Sequence, residues 1–160
     1  MKKILMLMMS FIFAFQIHVG ATAFVSKSDD PFEGDYSVDT SDQIAPFEYI
    51  GFTKKVYPSY KKYEMKIIKP SYSYRKYYIK SVQLKVDSEI YDLKILKQEK
   101  YSVDTDKISF ISEIPVNATE AIKNANQIMI RVVDSDDIKN IVEFPAESII
   151  DWKDVVNTEK

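Results

Sequence analysis

The stretch Tyr77–Leu96, YYIKSVQLKVDSEIYDLKIL, decides the fold class. Its apolar residues alternate at Val82, Leu84 and Val86, break at Asp87-Ser88, and resume at Tyr91, Leu93 and Ile95. A period of two marks strands with one buried face, so the stretch predicts a β-hairpin. With Asp87-Ser88 as the whole turn, Val86 faces Glu89, Leu84 faces Tyr91 and Val82 faces Leu93, and both apolar sets fall on one side. A longer turn would set Leu84 opposite Asp92 and destroy the match. Ser88 suits the positive φ of such a turn less well than glycine would.

The same reading extends outward. Before the hairpin, Tyr63, Met65 and Ile67 alternate with Lys62, Glu64 and Lys66, a half-buried strand. Phe47–Tyr57 reads as a strand interrupted or bent at Gly51. Tyr72, Tyr74 and Tyr78 lead into the hairpin in one long run, whose length calls for a bulge or bend near Arg75–Tyr78. After the hairpin, Lys107–Ile114 is a strand. Asn117 with Glu120 has the spacing of a capping box, which predicts a helix from Ala118 to about Ala125. Gln127–Val133 and Ile138–Phe144 form an antiparallel pair around the polar turn Asp134–Asp137. A last helix starts near Pro145 and runs to about Val156, with Ile149, Trp152 and Val156 at the spacing of a core-facing stripe. The expected fold class is α+β, mainly antiparallel, with about seven or eight short strands and two short helices in the C-terminal third.

The first residues read as a secretory leader. Lys2 and Lys3 precede an apolar run, Ile4–Phe15, broken only by Ser10, and Ala21-Thr22-Ala23 supplies small residues for cleavage. An uncleaved anchor is the alternative, since residues 4–23 nearly span a bilayer, but Gln16, His18 and Gly20 dilute the second half. The expected organisation is a cleavable signal peptide at 1–23, an acidic flexible arm at 24–46 with one short strand at Tyr36–Val38, and a single β-rich domain at 47–160. The mature protein would then be periplasmic or extracellular.

Cleavage would remove His18, the only histidine, and the chain has no cysteine. A mature chain without either residue excludes Ser-His-Asp and Cys-His nucleophilic sites, His or Cys zinc sites, and the usual haem and iron-sulfur ligands. No disulfide or lipidated cysteine is available. Glycoside hydrolysis needs only carboxylates, but no spacing singles out a pair. Gly34 and Gly51 are the only mature glycines, too few for a phosphate-cradling loop. Asp134-Ser135-Asp136-Asp137 resembles the opening of a calcium loop, yet Ile138 and Pro145 occupy positions that require ligands. No enzyme activity, cofactor or metal is expected.

Charge is uneven. Residues 54–85 carry ten basic side chains against the single acid Glu64, and seven of the eleven tyrosines. The segments on either side are acidic. Cations interleaved with aromatics suit a polyanion, and the candidates are Lys54, Lys55, Lys61, Lys62, Tyr72, Tyr74, Arg75 and Lys76. Arg75 is the only arginine there, and the chain as a whole is acidic, which argues against nucleic acid. The commoner meaning of such a run is a solvated strand face paired with acids elsewhere. The sequence therefore predicts a non-catalytic exported or envelope-associated protein that binds another protein, with an anionic envelope polymer as the alternative partner.

Overall fold

The computed structural model describes residues 26–29, 35–70, 78–101 and 107–159, giving only the backbone of 100 and 101. The expected leader, the bend before Tyr78, and Tyr72, Tyr74, Arg75 and Lys76 lie outside the described residues. In chain order the elements are β1 (Ser26–Asp29), β2 (Tyr36–Asp42), β3 (Tyr49–Val56), β4 (Lys61–Pro70), β5 (Ile79–Val86), β6 (Glu89–Tyr101), β7 (Lys107–Glu113), α1 (Val116–Lys123), β8 (Ile128–Asp134), β9 (Lys139–Glu143) and α2 (Ala146–Asn157). The strands form one antiparallel nine-stranded sheet, ordered β1-β2-β3-β4-β7-β6-β5-β8-β9. The α+β class is as expected, and the added strand is β1. Its residues, Ser-Lys-Ser-Asp, carry no apolar alternation; backbone pairing to β2 and a 2.8 Å hydrogen bond from Ser26 Oγ to Asp39 Oδ1 hold it. The short strand expected at Tyr36–Val38 runs on to Asp42, with Tyr36 and Val38 buried in the core.

The hairpin adopts the two-residue register, with Val82 opposite Leu93, Leu84 opposite Tyr91 and Val86 opposite Glu89. The positive φ falls on Asp87, at 50°, rather than on Ser88. Aspartate tolerates this region better than most residues because its short side chain bonds locally. Here Asp87 Oδ1 accepts the backbone N–H groups of Asn126 and Gln127, both at 2.9 Å, which ties the turn to the entry of β8. Beyond Leu93, β6 leaves β5 and pairs with β7 from Lys94, across an irregularity between Ile95 and Lys97. At this fork the Gln98 amide substitutes for a strand. It donates to the Ile79 carbonyl at 2.9 Å and accepts the Ile79 N–H at 2.8 Å.

The sheet curls strongly. β4 and β8 are four steps apart in the sheet, about 19 Å if it were flat. Yet Lys69 at the end of β4 reaches Asp134 at the end of β8, 3.0 Å away and buried. Inside the curl, α2 lies on β2 and β3, and α1 lies on α2 and β5. Trp152 is fully buried as its spacing predicts, stacked on Phe52 at 4.6 Å and edge-on to Phe144 at 4.8 Å. The capping box does not form. Helix α1 begins two residues earlier, with Pro115 at the N-cap and its carbonyl accepting Ala118 and Thr119 N–H at 3.0 and 3.2 Å. Asn117 therefore lies inside the first turn, and Glu120 instead binds Lys123 at 2.8 Å.

Candidate functional site

Strand alternation separates the cations singled out by sequence. Lys54 points inward from β3 with Ile50 and Phe52 and is 1% exposed. Its ammonium donates to the carbonyls of Val156 at 2.8 Å and Thr158 at 2.6 Å, at the C-terminal end of α2. The last carbonyls of a helix lack partners within it and favour a cation. Burial pushes the Lys54 pKa down, with Lys61 adding, Glu159 opposing and Lys123 adding again. Lys54 is a helix-capping group and not a surface cation.

Lys55 and Lys62 face each other on the outer side of β3 and β4, and both bind Glu64 at 2.8 Å. Burial works to raise the Glu64 carboxyl, but the hydrogen bonds from the two lysines outweigh it and hold the pKa below the usual range. Lys61 lies on the opposite side of β4, exposed at the rim of a polar cleft shared with Tyr63, Glu120, Lys123 and Glu159. Further along, Lys69 binds Asp134 and Lys80 binds Asp137, at 3.0 and 2.6 Å. The structure thus brings Lys55 and Lys62 together on one acid and sets Lys54 and Lys61 apart from them. Asp134 is fully engaged as a turn organiser: its Oδ1 accepts the N–H groups of Asp136 and Ile138 at 3.1 and 3.0 Å, while Oδ2 takes Lys69.

The outer face of the other half of the sheet is different in character. Ladder register lines up Ile90, Lys85, Met129 and Glu143 across β6, β5, β8 and β9, and next to them Asp92, Gln83, Arg131 and Ile141. Ile90 and Ile141 are 61% and 56% exposed. With Met129 and the stems of Lys85 and Arg131 they line a shallow, mainly apolar groove of about 180 Å³. Gln83 anchors its polar side, donating to Asp92 Oδ1 at 2.6 Å and accepting Arg131 Nε at 2.6 Å. The groove ends at β9, the outermost strand of the sheet. Exposed isoleucines beside a strand edge that is unpaired among the described residues are chemically suited to another polypeptide, through apolar contact and backbone hydrogen bonds.

A second group of polar side chains is buried between β2 and α2. Thr40, Asp42, Ser148 and Trp152 all turn inward, and among the described residues Thr40 Oγ1, both Asp42 carboxylate oxygens, Ser148 Oγ and Trp152 Nε1 meet no partner at hydrogen-bonding geometry. Burial pushes the Asp42 carboxyl pKa up; the neighbouring Ser148 hydroxyl pulls it back, and Asp151 and Glu147 push it further.

The sequence reading missed Ile90, Met129 and Ile141. Each sits beside inward residues in an unbroken apolar run, such as Ile128-Met129-Ile130, where periodicity does not say which residue faces out. Comparison with known proteins finds no matching family model, curated protein or solved structure.

Proposed function

We propose that this chain is an exported, non-catalytic binding protein that engages a protein partner through the outer groove and the β9 edge of the β5–β9 half of its sheet. The observation that carries the reading is the exposure of Ile90 and Ile141 around one apolar groove at a sheet edge. Export rests on the leader pattern of Lys2, Lys3, Ile4–Phe15 and Ala21–Ala23. An anionic polymer is the competing partner. Its support is weaker because Lys54, Lys55, Lys62, Lys69 and Lys80 are each engaged by a carboxylate or a carbonyl.

The test places a photo-crosslinking residue at Ile90, or at Ser37 on the outer face of β2 as control, in the full chain expressed in its own cells. Crosslinks to protein from position 90 and not 37, holding between about 50 and about 200 mM salt, are the expected result. Retention on a polyanion column that falls steeply over that range and is lost in a Lys55→Gln, Lys62→Gln variant would replace this reading with the polymer one.

A further inference from the structure

The edge strand β9, Lys139–Glu143, reads Lys-Asn-Ile-Val-Glu, a sequence whose two charges are opposite in sign and equally spaced about Ile141. The backbone is evenly disposed about Ile141 too. The β8–β9 ladder is bracketed by the bonds Phe144 N–H to Ile128 O at 2.9 Å and Asp134 N–H to Ile138 O at 3.3 Å. In an antiparallel pair, hydrogen-bonded and non-bonded positions alternate. The even positions of β9 therefore bond to β8, and Lys139, Ile141 and Glu143 turn their N–H and C=O groups to the outer edge, where no described strand pairs with them. Their side chains are also the exposed ones, all on the outer face.

We infer that the partner at this edge is a second copy of the chain, paired β9 to β9 about a two-fold axis through Ile141. This rests on the binding reading above and names its partner. A two-fold is self-complementary by construction. With the axis at Ile141, the edge groups of Ile141 bond to those of Ile141 in the second copy, and Lys139 of each copy bonds to Glu143 of the other. The same register sets each Lys139 side chain opposite a Glu143 side chain, flanking an isoleucine pair. Opposite charges across an antiparallel ladder stabilise it and like charges oppose it. Gln127 already donates to Glu143 Oε1 at 2.6 Å, which holds that carboxylate on the outer face and leaves its other oxygen for the lysine. The opposite edge lacks this property: a two-fold at the centre of β1 sets Lys27 against Ser28. The dimer continues the sheet through both copies and brings their two apolar grooves side by side. Five residues make a small interface, so association is expected in the micromolar range.

The test is sedimentation velocity of the full chain across micromolar concentrations. The wild type is expected to dimerise. Lys139→Glu and Glu143→Lys each set like charges opposite one another and should be monomeric at least tenfold beyond the wild-type midpoint. An equimolar mixture of the two should recover a heterodimer, and the double exchange a homodimer. A purely structural role of either residue cannot produce recovery on mixing. Ile141→Pro removes an N–H that faces the edge and not β8, so it should abolish the dimer while the melting curve stays close to wild type. A wild type monomeric throughout, or single variants that dimerise unchanged, or no recovery on mixing, overturns the inference. The crosslink at Ile90 separates the two readings. If the chain is monomeric yet Ile90 captures a protein, the binding function stands without the dimer; if the dimer forms and Ile90 captures nothing, the groove reading falls.

Discussion

Lys54→Met measures the capping role of the buried lysine directly. The substitution removes two hydrogen bonds from a charged donor, at 2.8 and 2.6 Å. Hydrogen bonds to charged groups contribute about 1.5–3 kcal/mol each, so the gross loss is about 3–6 kcal/mol. Two effects offset it. Methionine fills a similar volume without dehydrating an ammonium, a penalty whose sign is visible in the lowered pKa of Lys54. The abandoned carbonyls also lie beside exposed Asn157 and Glu159, where water can replace the lysine in part. The net expectation is a destabilisation of about 2–3 kcal/mol, or a melting temperature lower by about 10 °C for a domain of this size. Lys55→Met is the control. Its side chain is 41% exposed and Glu64 keeps Lys62, so the change should stay within about 0.5 kcal/mol. Urea denaturation followed by circular dichroism gives both numbers. Hydrogen exchange should report local loosening at the Thr158 amide, which donates to the Asp154 carbonyl at 2.8 Å. Equal stability of the two variants, or faster exchange nowhere near α2, would refute the capping role and return Lys54 to the surface cations.

Three further predictions concern other buried groups. Because burial raises the Asp42 carboxyl pKa, the folded state binds that proton more tightly than the unfolded chain, and stability is lost as pH rises from the ordinary value of 3.8 through the raised one. Asp42→Asn is expected to be more stable than wild type by about 1–2 kcal/mol near neutral pH, with the advantage shrinking on acidification; a variant less stable at neutral pH would show that the carboxylate is well solvated or paired. Asp134→Ala, read by chemical denaturation, should cost about 3–5 kcal/mol and exceed Lys69→Ala, because Asp134 also holds the N–H groups of Asp136 and Ile138. The Tyr91 hydroxyl donates to Glu89, and this bond, with burial second, pushes its pKa up to about 12. The stability it contributes is present below about pH 10 and lost as pH rises through about 12, and in ultraviolet titration Glu89→Gln should bring one late tyrosine back toward the ordinary range.

Where burial on one face imposed a period of two, the sequence was readable. Val82, Leu84 and Val86 against Tyr91 and Leu93 set the hairpin register, and Ile149, Trp152 and Val156 set the buried side of α2. Features held by backbone or by single polar contacts were not readable. β1 has no apolar residue to betray it, and Pro115 displaced the capping box because its carbonyl serves the helix start without any side chain. Lys54 is an instructive intermediate case. It lies in phase with the inward Ile50 and Phe52, but its burial depends on the end of α2, about a hundred residues away in sequence, supplying carbonyls for the ammonium. Of the candidate polyanion residues, alternation alone separates Lys55 and Lys62 from Lys54 and Lys61; what each one pairs with could come only from the tertiary structure.

The contrast between a basic middle and acidic flanks acquires a physical meaning from these pairings. Residues 54–85 are basic because much of their charge is complemented elsewhere in the fold: Lys69 and Lys80 by Asp134 and Asp137, and Lys54 by the carbonyl end of α2. Lys107 and Glu48 make the reverse connection, from the acidic C-terminal segment back toward β3. Of these ties, Lys69–Asp134 joins strands that a flat sheet would keep far apart, so it helps specify the curl. The consequence for partners follows from the same bonds. Cations engaged within the fold project little field beyond it, while the apolar groove and the Lys139–Glu143 edge remain turned outward. Recognition at that surface should therefore depend on shape, backbone pairing and local charge register more than on the net charge of any segment.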